Sequence, residues 1–154
     1  MAVQNPVAQA AQLAELDHAL FEGSLESKVE GVIATFHENE RPLGGLAGHL
    51  DWRFHGLISQ RLAAGVAEGK AGECVYLPVT RDGKTFHLIL IGAGASEKPG
   101  LRTPLGAGAL KTLQKNLASL NLGKLALSRS DFGNMSDEAI LPARLKGVSV
   151  WIAP

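Results

Sequence analysis

Residues 73–79 and 85–91 are two short runs of mostly apolar side chains, separated by little more than Arg81-Asp82-Gly83-Lys84. Asp-Gly between such runs is a strong hairpin signal, because the tight turn that matches strand twist needs positive φ at both central residues. The two runs are therefore expected as antiparallel neighbours in one sheet. That sheet needs further elements to cover its faces.

The remaining chain supplies them. Residues 29–36 are rich in β-branched and aromatic side chains and read as another strand. Residues 37–45 are polar, contain Pro42 and end on Gly44-Gly45, so they read as a loop. Next, Leu46, Leu50, Phe54, Leu57, Ile58 and Leu62 recur at helical spacing and predict one helix over residues 46–62, ended by Gly65. His49, Arg53 and Gln60 fall off its apolar stripe. An earlier stripe of Val7, Ala11, Ala14, Leu16 and Leu20 predicts a helix over residues 6–21, with Gly23 as a stop.

Residues 92–103 are a loop with three glycines and Pro99. A helix over 104–120 follows, with Thr103 as cap, Pro104 in first position, and Leu105, Ala109, Leu113 and Leu117 on its apolar face. Residues 124–127 and 148–152 read as strands. Between them Ser136 can cap a short helix, with Asp137 and Glu138 in its first turn. Helices alternating with strands predict an α/β fold of three layers, α/β/α, around a mixed sheet of about five to six strands. No repeat or linker divides the chain. The expectation is a single domain over residues 1–154, with 1–27 as a helical extension.

Composition bounds the function. An apolar fraction of 45% and a charged fraction of 19% are globular values. The 15 basic and 15 acidic residues cancel, so nucleic acid, which is held largely through Lys and Arg contacts to phosphate, is not an expected partner. Near-zero net charge also removes a brake on self-association. No apolar stretch approaches the ~20 residues that span a bilayer, and no membrane contact is expected. The one cysteine, Cys74, permits no internal disulfide, and residues 1–12 lack the pattern of a secretory leader. Both features favour a reducing compartment, the cytoplasm. Cys74 lies in the apolar run Cys74-Val75-Tyr76-Leu77 and reads as a small buried hydrophobe.

The search for chemistry yields little. His49 and His55 are too far out of step to share a helix face as metal ligands. Asp51 and His55 stand at i, i+4 and read as a surface pair rather than a catalytic dyad. His87 reads as a half-buried sheet residue. Glu38 and Glu40, with Asn39 and Arg41, read as a solvated turn. Trp52 and Trp151 read as core or interface residues. No serine sits in a G-x-S-x-G elbow. No catalytic residue, metal or cofactor is assigned.

One loop competes as a ligand site: Gly92, Ala93, Gly94, Ala95 and Ser96 follow a strand, where α/β domains bind ligands. Glu97 breaks the dinucleotide pattern G-x-G-x-x-G, and the next helix starts too late to receive a phosphate directly. A plain surface loop is the competing reading.

Five segments, in order, carry a resemblance: Pro42-Leu43-Gly44-Gly45, Leu50-Asp51-Trp52, Gly56-Leu57-Ile58-Ser59, Gly69-Lys70-Ala71-Gly72-Glu73 and Leu90-Ile91-Gly92-Ala93-Gly94. Together they resemble the N-terminal domain of the leucyl (cytosol) aminopeptidase family, over roughly residues 28–128. The resemblance implies a macro-domain-like fold. It also implies that the family's two-metal peptidase site belongs to a separate C-terminal domain, around an Asn-Thr-Asp-Ala-Glu-Gly-Arg-Leu motif that this sequence lacks. The family's N-terminal domain is associated with assembly and regulation, so no catalytic residue carries over. The long first helix and the closing strand favour a free-standing protein.

Three functions compete. The first is a non-catalytic, stand-alone domain of this type that acts in protein association or regulation, with itself as a homo-oligomer or with a peptidase domain. The second is a macro-domain-like binder or hydrolase of a small ligand such as ADP-ribose or a nucleotide. The third is a subunit or fragment of a metal-dependent leucyl aminopeptidase.

Overall fold

A computed structural model describes residues 29–81, 83–98, 101–120, 124–133, 135–140 and 149–153. Strand β1 (Gly31–Phe36) is buried at every position, so both of its faces are covered and it must be central. It is followed by helices α1 (Gly45–Arg53) and α2 (Leu57–Ala63) and then the hairpin strands β2 (Cys74–Arg81) and β3 (Lys84–Gly92). Helix α3 (Ala107–Leu120), strand β4 (Lys124–Ser128), a 3-10 turn (Arg129–Phe132), the short helix α4 (Asp137–Ile140) and strand β5 (Ser149–Ala153) complete the order.

The sheet is mixed and has five strands in the order β2-β3-β1-β4-β5. β2 and β3 pair antiparallel from Cys74↔Ile91 down to Arg81↔Lys84, as the Asp-Gly turn predicts. β1 runs parallel to both β3 and β4, and β5 runs parallel to β4.

Because both faces are covered, consecutive side chains of the inner strands are apolar rather than alternating. Val32, Ala34, Phe36, Leu88 and Leu90 face α1 and α2, packing with Leu46, Leu50, Ile58 and Leu62. Ile33, Ile89, Ile91, Leu125 and Leu127 face the other way, with Leu113 and Leu117 of α3, Phe132 and Ile140. These layers are the α/β architecture expected from the sequence.

Two helices differ from the sequence reading. The stripe over residues 46–62 is two helices, not one. The chain turns at Phe54–Gly56, with φ of 58° at His55 and 81° at Gly56, the left-handed region that ends a helix. The Asp51 carboxylate then accepts the Ser59 N–H at 2.9 Å and the Ser59 hydroxyl, fastening α2 to α1. Asp51 is thus partnered with Ser59 rather than with His55. The stripe survives because Leu46, Leu50, Phe54, Ile58 and Leu62 remain buried across the break.

Helix α3 starts at Ala107, three residues after the predicted Pro104. Gly133 packs so tightly on Thr103–Pro104 that a Cβ there would lie 2.5 Å from backbone. That contact holds residues 103–104 against the 3-10 turn and outside the helix. The cap at Ser136 is as expected, its Oγ accepting the Ala139 N–H at 3.3 Å. The predicted helix over residues 6–21 lies outside the described residues.

Candidate functional site

β1, β3 and β4 are mutually parallel, so their carboxyl ends share one edge of the sheet. Open α/β sheets take ligands at that edge. Here it gathers His37 after β1, Glu40 and Gly44 before α1, the loop after β3, Asp131 after β4, and Arg102.

Asp131 continues the ladder where β4 stops. β1 pairs with β4 only as far as Ile33↔Leu127. Beyond that, the Thr35 N–H donates to Asp131 Oδ2 at 2.6 Å, and the Thr35 hydroxyl donates to the same oxygen at 3.0 Å. The other oxygen, Oδ1, accepts the Leu46 N–H in the first turn of α1 at 3.3 Å. One carboxylate therefore satisfies a strand and a helix start whose amide groups would otherwise lack partners.

Arg102 reaches into the same place from the segment before α3. It donates Nη1 to Glu40 Oε2 at 3.0 Å and Nη2 to Glu40 Oε1 at 2.8 Å, a bidentate pair. Its Nε lies 3.6 Å from Asp131 Oδ1. Glu40 Oε1 also accepts the Gly44 N–H at 2.9 Å. The three side chains are only 5%, 8% and 2% exposed for Arg102, Glu40 and Asp131. Burial works against the guanidinium charge, but its hydrogen bonds to Glu40 and the charge of Asp131 outweigh it and hold the Arg102 pKa above its usual value. Glu40 is thus no part of a solvated turn. Glu38 and Asn39 are exposed, whereas Glu40 is turned inward by Arg102.

His37 sits beside these charges and is 3% exposed. Burial, and then the nearby Arg102, push its pKa below the ordinary value, against the opposing pull of Glu40 and Asp131. Among the described residues its Nδ1 has no hydrogen-bond partner. Its carbonyl is held by Arg41 Nη1 at 2.8 Å.

The loop singled out in the sequence lies at this edge, and its amides turn inward. The N–H groups of Gly92, Ala93, Gly94 and Ser96 donate to Glu73 O, Phe36 O, Gly69 O and Asn39 Oδ1, at 2.7, 2.9, 2.9 and 2.7 Å. Ala95 is the exposed apex. A Cβ on Gly92 would lie 2.1 Å from Lys70 O, so this glycine admits the turn at residues 69–73. Glu73 ties that turn with its Oε1, which accepts the Gly69 and Lys70 N–H groups at 3.0 and 2.7 Å.

The sequence reading did not bring His37, Arg102 and Asp131 together. The signal available for Asp131 was an acid three residues past the end of a strand. His87 is half-buried as expected, and its ring stacks on Tyr76 at 5.6 Å. Cys74 packs against the α3 side of the core, and burial pushes its thiol pKa up. Trp52 is 70% exposed, next to His49 at 5.6 Å, so it is no core residue. Trp151 lies in β5. Among the described residues no group of three or more His, Cys, Asp or Glu side chains could hold a metal ion, and no helix is long and apolar enough to cross a membrane.

The family model of the cytosol aminopeptidase family, N-terminal domain, matches residues 32–139. No curated protein sequence matches the chain. In structure, the macrodomain of Mycobacterium tuberculosis DarG superposes with a TM-score of 0.60 at 16% identity, covering 84% of this chain and 92% of that one. The macrodomain of Thermus aquaticus DarG gives 0.58 at 17%, covering 83% and 91%. A tomato leucine aminopeptidase mutant gives 0.42 at 21%, covering 64% of this chain and 19% of that one. The two DarG likenesses show a macrodomain-like fold.

Proposed function

The chain belongs to the cytosol aminopeptidase family through its N-terminal domain, and we propose that it acts without catalysis, in protein association or regulation. The observation that carries this reading is the sheet edge. Where an α/β domain would receive a substrate, Arg102, Glu40 and Asp131 meet each other as a buried ion-pair cluster. A catalytic edge needs polar groups directed at a ligand, and these are directed at one another. The proposed partners are a second copy of the chain or a peptidase domain, and the proposed compartment is the cytoplasm, in keeping with the family. Purified chain should release no leucine from leucyl substrates. Turnover that a metal chelator abolishes would overturn the proposal in favour of a complete or partial peptidase.

A second reading places a small ligand of the ADP-ribose or nucleotide class on Gly92–Ser96. It is supported by the position of that loop at the carboxyl ends of parallel strands and by the macrodomain-like fold. It must contend with four loop amides already donated within the protein. Calorimetric titration with ADP-ribose decides it: saturable heat supports the ligand site, and none at high micromolar concentration removes it.

A further inference from the structure

Gly44 and Gly45 form a bare shelf at the start of α1, and a carboxylate–guanidinium pair lies on it. A Cβ on Gly44 would lie 3.0 Å from Glu40 Cδ, 3.0 Å from Oε1 and 3.1 Å from Oε2, so the carboxylate rests flat on that residue. A Cβ on Gly45 would lie 2.6 Å from Arg102 Nη2 and 2.9 Å from Nε. Any other residue at these positions would fill the space, and glycine is the residue that lets backbone approach a bound group closely. Arg102 grips the carboxylate with both terminal nitrogens, and the Gly44 N–H donates to it at 2.9 Å. A planar guanidinium fork and a backbone amide at a helix start are donors by which proteins hold carboxylate ligands. Here the carboxylate is the chain's own.

Two observations separate this pair from a simple structural tie. The Arg102 side chain is 5% exposed, yet its Nε has no hydrogen-bond partner among the described residues. One donor of a buried fork is thus left over, directed at the start of α1. Glu40 is also the inward member of an otherwise exposed turn, since Glu38, Asn39, Arg41 and Pro42 face solvent. That turn is pinned by Arg41 Nη2, which donates to Glu68 O at 3.1 Å, and by Asn39 Nδ2, which donates to Ser96 O at 2.8 Å. Glu40 can therefore leave by rotation of its own side chain while the turn stays in place. We propose that Arg102, the Gly44 N–H and the Gly44–Gly45 shelf are a seat for the carboxylate of an external ligand, which Glu40 occupies as a tethered stand-in until that ligand displaces it. The seat favours a carboxylate over a phosphate. Without Glu40, the charges of Arg102 and Asp131 balance, and one negative charge restores the present state of the cluster. A phosphate brings nearly two, and the second faces Asp131, whose Oδ1 lies 3.6 Å from Arg102 Nε. The seat requires neither a peptidase partner nor the Gly92–Ser96 loop.

A tethered carboxylate competes at a high effective concentration, so a free one binds best where Glu40 is truncated. The Gly44 N–H and Arg102 Nε–H signals are followed by NMR while sodium acetate replaces sodium chloride at constant ionic strength and neutral pH. Both signals should shift saturably in the unaltered chain and in Glu40→Ala, with half-saturation at about tenfold lower acetate in the variant. Should the truncated chain not fold, Glu40→Gln, which keeps the shape and loses the charge, takes its place with the same expected gain. Absence of saturation in the unaltered chain overturns the proposal and leaves Glu40 as a structural ion pair. Equal half-saturation in chain and variant also overturns it, because acetate would then bind elsewhere. Inorganic phosphate that saturates at lower concentration than acetate overturns the assignment to a carboxylate.

Discussion

Arg102 pairs with two carboxylates that have almost no access to water, Glu40 and Asp131. Removing one partner of a buried charge pair leaves the others uncompensated, at a cost of about 3–5 kcal/mol. Arg102→Ala should therefore lose stability on that scale in urea unfolding, far more than an exposed pair such as Lys70–Glu68 would. His37 gives the cluster a pH dependence. Its folded pKa lies below the ordinary 6.5, so below pH 6.5 the unfolded chain binds the proton more readily than the folded one. Stability should then fall as pH drops from about 6.5, where the unfolded imidazole titrates, toward the lower folded value. A urea midpoint that declines between pH 7.5 and 5.5, less steeply in His37→Gln, is the expected outcome; identical slopes would remove His37 as the cause. Little of this was legible beforehand. Glu40 stands among polar neighbours in sequence, and the arginine that buries it lies 62 residues away. Only the fold joins them.

At the scale of elements, local pattern served well where one physical rule acted alone. The Asp-Gly turn fixed the hairpin register down to Arg81↔Lys84, because turn length dictates pairing. Periodicity misjudged the helix over residues 46–62 because the stripe stays in phase across the break at His55–Gly56. A buried face constrains spacing, not continuity, and Gly56 inside the pattern was the warning. Close backbone contact is a third kind of constraint, invisible in composition. Gly92 joins β3 to its loop and touches the Gly69–Lys70 turn, and a Cβ would meet Lys70 O at 2.1 Å. Gly92→Ala should cost about 1–3 kcal/mol, since neither backbone segment can yield easily. Gly106→Ala, with open space around it, should be near neutral. Paired thermal unfolding of the two variants checks the contrast.

For the whole molecule, the fold class followed from the order of strands and helices, while the character of the sheet edge did not. The edge is polar yet closed, so under the association reading a contact surface is sought elsewhere. Trp52 is the most exposed large apolar side chain described, on the outer side of α1, with His49 against its ring. Tryptophan is enriched at the centres of protein interfaces, where its area outweighs the ordering it requires. Formal neutrality of the chain leaves little electrostatic repulsion against association. Under the association reading, the unaltered chain should sediment as a species larger than a monomer, alone or on mixing with a peptidase domain. Trp52→Asp should then remove the larger species without lowering the melting temperature, because an exposed side chain contributes little to the core. A monomer under both conditions would defeat the association reading, and an assembly that tolerates Trp52→Asp would move the contact to another face.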